Sequence, residues 1–397
     1  MTELKALFAK ITKKENIQTD VGAWQDILGI DYEPDLLVAP ETVEEIGEIM
    51  KIANKHKIPV YPLGSGSQFS QGVAPFKGGI LLSLRNLKKI TEYRPSNMSV
   101  EVEAGITLEE LTNVLIKDNL YFPIQTENPK STLGGLVARN GYGRNRYKYH
   151  TIRKYVLGVE FVSPEGELVR VGGRTVKNVS SLDVSQLITG SWGILGIITK
   201  ITLRVQPLPE ANEILELEVG NLTELSEKVS NVLKEPLSLN SMIFYQKDKK
   251  YYLQIELEGF KDTIQLQRKG LQEKYGFQLV KSLETKTVFP NKISLSLSKY
   301  LDGLKGLEKL AREQHVSLAV RGNITNGILE FSINEENKAL LEKIAAMVQK
   351  LGGTLLAGGQ VVVKIDRGQG YLSLLKIIKK NVDPRHILVP QSLALKE

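Results

Sequence analysis

Lys177–Pro209 reads K-N-V-S-S-L-D-V-S-Q-L-I-T-G-S-W-G-I-L-G-I-I-T-K-I-T-L-R-V-Q-P-L-P. Its middle, Gly190-Ser191-Trp192-Gly193-Ile194-Leu195-Gly196, puts three glycines within seven residues. From Ile197 to Val205, apolar Ile197, Ile201, Leu203 and Val205 alternate with polar Lys200, Thr202 and Arg204, the period of a half-buried strand. Pro207 and Pro209 close the unit. Glycine has no Cβ, so a glycine cluster opening onto a strand suits close approach of the backbone to something flat or anionic. A plain turn between two elements is the competing reading.

The chain has 397 residues, too many for one ordinary core, so two domains are expected. Hydrophobic residues make up 42% and charged residues 24%, an ordinary globular balance. The absence of cysteine excludes disulfides, thiolate zinc sites, a cysteine nucleophile and an iron–sulfur cluster held by this chain alone. The N-terminus lacks the apolar core of a secretory signal, and no apolar run approaches the ~20 residues of a membrane helix. The net charge of +7 is spread along the chain and suggests a mild preference for anionic partners, without a nucleic-acid signature.

Five further stretches matter. Leu36-Leu37-Val38 is a short strand, Thr42 caps a helix with Glu45 three residues on, and Ile58–Tyr61 is the next strand, a β-α-β start. Pro62-Leu63-Gly64-Ser65-Gly66-Ser67-Gln68 follows, a run whose backbone N–H groups and hydroxyls can make an anion-binding concavity. A Walker loop is excluded because no Gly-Lys-Ser/Thr follows, and a Rossmann turn because position 69 is Phe and the next element is the strand Gly79–Leu84. A phosphate-holding loop of another fold, or a plain turn, remains. Pro129-Lys130-Ser131-Thr132-Leu133-Gly134-Gly135-Leu136-Val137-Ala138 is a second glycine turn that runs into small residues. Arg139–Lys154 then carries seven basic side chains, no acid and three tyrosines. It reads as a solvated loop or a docking face for an acidic partner, ahead of a nucleic-acid groove. Val156–Val162 and Leu168–Val171 form a hairpin.

Together, the turns at 62–68, 129–138 and 177–209 resemble the PCMH-type FAD-binding domain of the vanillyl-alcohol oxidase (p-cresol methylhydroxylase) superfamily. Within it the likeness is to FAD-binding subunits of glycolate oxidase and D-lactate dehydrogenase-like complexes. The resemblance implies an α+β fold: a two-lobed FAD-binding domain (1–209), an α/β-plait (ferredoxin-like) cap (210–374) and a C-terminal segment returning to the first domain (375–397). It implies FAD held between two lobes. Pro62, Leu63, Gly64, Ser65, Gly66, Ser67 and Gln68 would wrap the pyrophosphate, with Pro129, Ser131, Thr132, Leu133, Gly134, Gly135 and Ala138 beside it and the flavin. The 190–198 stretch, with Gly190, Gly193 and Gly196, would follow the ribityl chain and adenosine, with backbone at Glu160 and Ile198 near the adenine, and Lys177 and Asp183 count among the cofactor-binding residues. On this reading Gly134→Val should abolish flavin retention in a chain that still folds. Ser181-Leu182 stands where the family has glycine and an aromatic residue, and Val389-Pro390-Gln391 where it has Asn-Pro-Gly. With no cysteine, and no histidine in 64–68, the FAD is expected to be noncovalent.

Residues 211–374 alternate strands and helices in two rounds of an α/β plait. Catalytic members of the superfamily carry a histidine-rich run in the cap. Here the histidines are 56, 150, 315 and 386, no two at metal-ligand spacing, so no metal is expected. Arg321, Lys364 and Arg367 are available cations for a substrate carboxylate, and His386 and Arg321 are the catalytic candidates. The resemblance thus implies an FAD-dependent oxidoreductase of CH–OH donors. The expected role is an FAD-binding subunit of a 2-hydroxyacid (glycolate or D-lactate) dehydrogenase-like complex, with a homologous flavoprotein sibling and an iron–sulfur partner. A self-sufficient D-2-hydroxyacid dehydrogenase and a cofactor-free scaffold are the alternatives. The expected location is cytoplasmic, peripheral at the membrane through partners.

Overall fold

A computed structural model describes residues 2–20, 32–126, 128–173, 184–248, 250–284, 289–333, 338–358, 360–363, 369–390 and 392. The chain divides into two compact units. The first holds residues 1–143, 151–208 and 367–397; the second holds 144–150 and 209–366. The sequence reading of 1–209, 210–374 and 375–397 differs in two places. Arg144–His150 groups with the second unit, and the described residues from 369 onward group with the first.

The first unit has two main sheets. One runs Ile17–Gln18, Leu36–Val38, Ile80–Ser83, Val60–Leu63 in spatial order, with its last three strands parallel. The β-α-β start is present, but Ile80–Ser83 lies between the two strands that the helix Val43–His56 connects. Parallel strands covered on both sides read as continuous apolar runs, and Leu36, Leu37, Val38, Ile80, Leu81 and Leu82 are fully buried. The other sheet is antiparallel: Leu168–Gly172, Val156–Val162, Ile197–Arg204, Ser99–Glu103, Ile90–Arg94. The helix Val43–His56 starts at Thr42, whose hydroxyl accepts from Glu45 N, while the Glu45 carboxylate reaches back to Glu41 N at 2.8 Å. It rests on the 163–167 turn of the second sheet. There Gly166 has φ +87°, and a Cβ on it would sit 2.5 Å from Gly47 O, so only glycine fits.

The returning helix Gln369–Val382 closes this unit. Lys379 is almost wholly buried, and its Nζ donates to Ile194 O (2.7 Å), Leu388 O (2.7 Å) and Asp383 Oδ2 (2.5 Å). Burial pulls the Lys379 ammonium below its ordinary value, against the opposing pull of Asp383. Asp383 also accepts from Ile387 N and Leu388 N. Val60 N then donates to Ile387 O, and Val389 N to Val60 O, so the tail runs beside the strand Val60–Leu63.

The second unit is one antiparallel sheet of nine strands among the described residues. The helices Leu222–Val232, Lys261–Tyr275, Leu297–Glu313 and Lys338–Lys350 alternate with its strands, and the unit buries an apolar cluster including Leu253, Ile255, Leu257, Tyr300 and Phe331. The short edge strands Gln278–Val280 and Gln360–Val363 were not evident in the sequence. Along Lys250–Gly259 side chains alternate faces, so Gln254, Glu256 and Glu258 point away from the apolar side. All three are nevertheless buried. Arg144 pairs with Glu256 (3.2 Å), Lys148 with Glu258 (3.3 Å), and the Tyr149 hydroxyl donates to Glu258. Part of the basic run is therefore committed to buried carboxylates and is no solvated loop. Arg153, in the first unit, is also engaged, donating to Gln186 O and Thr189 O. Burial pushes the Glu256 carboxyl up, and the Arg144 guanidinium with hydrogen bonds from Asn212 and Ser241 overrides it, leaving the group below its ordinary value.

Two outcomes are expected from these buried pairs. Lys379→Met leaves Asp383 without its cation and two carbonyls without a donor, and should cost about 3 kcal/mol of stability; an unchanged urea midpoint would contradict this. Because the Glu256 pKa is depressed on folding, its stabilisation is present at neutral pH and fades as pH falls through that lowered value. Arg144→Met should cost about 3 kcal/mol at neutral pH and move acid unfolding to higher pH, measured by denaturation between neutral pH and about pH 3.

Candidate functional site

The strand Val60–Leu63 ends in the turn 64–68, which leads into the one-turn helix Phe69–Gly72. Tyr61 stacks on Phe76 at a centroid distance of 3.5 Å, and burial pushes its hydroxyl up to about 12, so this strand is fixed from below. Gly66 has φ +81°, which turns the chain back sharply. Phe69 N donates to Gly66 O. Among the described residues, no acceptor takes the N–H groups of residues 64–68. Ser65 and Ser67 hydroxyls lie 3.3 Å apart beside them. Consecutive unspent backbone donors are the requirement for an anion concavity.

The second turn meets the first directly. A Cβ on Gly64 would sit 2.2 Å from Thr132 Oγ1. Thr132 caps the helix Leu133–Ala138 by accepting from Gly135 N. Gly134 has a different duty: a Cβ there would lie 2.7 Å from Ala104 Cβ and 2.8 Å from Ala104 O. Gly134→Val therefore strikes Ala104, just beyond the strand Ser99–Glu103. The sequence-level expectation that it removes flavin from an otherwise folded chain is corrected, because the first casualty is packing. The third turn is clamped to the end of the same helix. Gly190 N donates to Val137 O (2.9 Å) and Trp192 N to Ala138 O (2.7 Å). Trp192 has φ +55°, a backbone state that bulky residues rarely adopt. Its ring presses on Gly72, where a Cβ would lie 2.2 Å from Cε3.

These turns line an open cleft. It gathers Pro62, Leu63, Gly64, Ser65, Gly66, Ser67, Gln68, Ser131, Thr132, Gly135 and Ala138. Pro129, Leu133, Gly134, Gly190, Gly193 and Gly196 are not among its lining residues; Gly196 packs on Phe161, where a Cβ would meet Cδ2 at 2.4 Å. Ile198 lies in the second sheet opposite Phe161. Glu160 is in that sheet too, its buried carboxylate paired with Arg170 and Lys200 and accepting from Thr199. Lys177 and Asp183 lie outside the described residues, as do Lys364 and Arg367. His56, His150, His315 and His386 are all exposed, and none lines the cleft. Arg321 is held by Glu330 in a two-nitrogen ion pair across adjacent strands of the second unit.

The sequence reading missed Phe69, Val73, Leu136, Arg139 and Trp192, which also line the cleft. Trp192 sat inside the glycine cluster, and its contact with Gly72 spans far too much sequence for any local pattern to show. The chemistry of the lining is apolar walls, backbone and hydroxyl donors, and one cation. That set fits a diphosphate-bearing group with a flat apolar body: the donors take the phosphate oxygens, and the walls exclude water.

Comparison with known proteins agrees. Residues 34–172 match the FAD binding domain family. The glycolate oxidase subunit GlcD of Bacillus subtilis is 24% identical over 92% of this chain and 90% of its own. The D-lactate dehydrogenases of Anaerostipes hadrus and Archaeoglobus fulgidus are 33% and 34% identical over 54% and 52% of this chain. Those two alignments span only 45% and 47% of the relatives' own length. Alkyldihydroxyacetonephosphate synthase superposes with a TM-score of 0.76 at 18% identity, covering 98% of this chain and 84% of that one. For p-cresol methylhydroxylase with substrate bound the values are 0.73, 17%, 98% and 95%. At such identities the structural likeness is one of fold. Residues 34–172 match an FAD binding domain, and the chain is an FAD-binding oxidoreductase related to a glycolate oxidase subunit and to D-lactate dehydrogenases.

Proposed function

We propose that this chain is the FAD-binding subunit of a glycolate or D-lactate dehydrogenase-like complex. It holds noncovalent FAD and supports, or passes electrons for, a catalytic sibling flavoprotein and an iron–sulfur partner. The observation that carries this reading is the lining of the cleft. Among the described residues it is rich in N–H and hydroxyl donors and contains no histidine, aspartate, glutamate, lysine or tyrosine. Such a lining binds and orients, but it offers no group to take the hydroxyl proton of a 2-hydroxy acid. Oxidation of that substrate needs such a base, and the exposed histidines lie away from the cleft.

The division of labour follows from the residues. FAD, when bound, supplies the acceptor for a hydride or electron pair. Residues 64–68 donate to the diphosphate; Ser131 and Thr132 add hydroxyls. Phe69, Val73, Leu136 and Trp192 keep water from the apolar part of the group. With no cysteine, this chain cannot alone hold an iron–sulfur cluster by thiolates, so onward single-electron transfer falls to another chain. The assembly is assigned to the cytoplasm, peripheral at the membrane through its partners. Among the described residues no helix is long and apolar enough to cross a membrane.

The test is the anaerobic visible spectrum of the purified chain before and after D-lactate or glycolate. Flavin bands that persist, and bleach only when the sibling subunit is added, are the expected outcome. Bleaching by the chain alone would make it a self-sufficient dehydrogenase. Absence of flavin both alone and in the complex would leave a scaffold. In a parallel test, Gly64→Val should push the first turn off Thr132 and weaken FAD binding by roughly 10- to 100-fold, read by flavin fluorescence, with far-UV circular dichroism unchanged.

A further inference from the structure

Arg139 is the sole charged residue among those described as lining the cleft. It caps the helix Leu133–Ala138, its own N–H donating to Gly135 O and Val137 O. Its side chain is half-buried, and among the described residues its guanidinium has no carboxylate partner and no hydrogen-bond acceptor. The other arginines that cross between elements here are spoken for: Arg144 by Glu256, Arg153 by two carbonyls, Arg170 by Glu160. Gly141 packs beneath the Arg139 head group, where a Cβ would lie 3.2 Å from Cζ. Burial draws this guanidinium below its ordinary value, so it is held at a cost that a bound anion would offset.

Every other donor along the cleft is neutral. A diphosphate bound by neutral donors alone would be a buried charge without a counter-charge, which is unfavourable. A guanidinium offers a planar fork that matches two phosphate oxygens at once. We propose that Arg139 is the counter-charge of the cofactor's diphosphate, a binding residue that discriminates diphosphate-bearing flavin from the bare ring system. The proposal rests on the FAD reading of the cleft and adds to it the identity of its charged contact.

The experiment is a set of equilibrium titrations of the full chain, freed of cofactor, with FAD, ADP and riboflavin. The variants are Arg139→Gln and Arg139→Lys, each checked against wild type for thermal midpoint. Arg139→Gln is expected to weaken FAD and ADP in parallel by roughly 10- to 100-fold and to leave riboflavin unchanged. Arg139→Lys should recover part of the loss, because it restores charge without the fork. An Arg139→Gln chain that binds FAD and ADP as tightly as wild type overturns the assignment and leaves the FAD reading standing. Weakened FAD and riboflavin with ADP unchanged also overturns it, placing the guanidinium against the flavin ring. Wild-type protein that binds neither FAD nor ADP removes the reading beneath it as well. A Gln variant with a collapsed thermal midpoint shifts the decision to Arg139→Lys, whose failure to bind better than Gln would count against a charge role.

Discussion

The buried ammonium of Lys379 holds the first unit together at the point where function is built. It ties three separated pieces of chain: the helix it stands on, the tail at Leu388, and Ile194 in the glycine turn. Taking an ammonium out of water is costly, and the cost is offset only when every donor finds a partner. Here two carbonyls and a carboxylate meet three N–H bonds, and Asp383 completes its own set with two backbone donors. This arrangement is specific in a way that apolar packing is not. A leucine at 379 would tolerate many placements of the tail, whereas the ammonium accepts one. The glycine turn inherits that precision, because Ile194 is two residues from Trp192 and one from Gly193.

From there the order of dependence runs toward the cleft. The tail pairs with Val60, the strand from 60 to 63 carries the donor turn, and that turn faces Thr132 with only a hydrogen atom of Gly64 between them. The helix that Thr132 caps is in turn gripped at its far end by Gly190 and Trp192. Each turn is thus braced by another, and the strained backbone of Trp192 is sustained by its hydrogen bond and by the flat surface of Gly72. Preorganisation of this kind matters for an anion site. Backbone donors that are already aimed, and already deprived of internal acceptors, pay little reorganisation when a phosphate arrives.

Much of this was legible in the residues. Alternation marked Ile197–Val205 as a strand, Thr42 announced its helix, and the resemblance carried by the three glycine-bearing turns gave the cofactor class. What was not legible was set by distance in sequence. Nothing local says that Ile80–Ser83 inserts between Leu36–Val38 and Val60–Leu63, since any of the three could sit centrally by hydrophobicity alone. Arg144 and Lys148 look like solvated cations until Glu256 and Glu258, more than a hundred residues on, are seen beside them. Lys379 looks like one more basic residue on an amphipathic helix. The glycines misled in a particular way: Gly134 and Gly196 are small because protein crowds them, and only Gly64 among these three is crowded at the cleft itself.

The second unit shows the same economy with charge. Its sheet presents one face to a hydrophobic core, and on the other it buries glutamates that a solvated sheet would simply expose. Those carboxylates are stabilised by cations delivered from residues 144–150, a short segment inserted within the sequence of the first unit. Electrostatics therefore does here what a longer linker or a larger apolar patch would do less selectively. It fixes which part of the chain belongs to which unit, because a misplaced segment would leave two buried carboxylates unpaired, at a cost comparable to a large share of a domain's net stability. By that logic Arg139, the charged residue among those described as lining the cleft and one with no carboxylate partner among the described residues, stands apart from Arg144 and Arg153. In a chain that spends its buried arginines on specific acceptors, an unspent one at the edge of a donor-rich cleft is best understood as waiting for an acceptor the polypeptide does not itself supply.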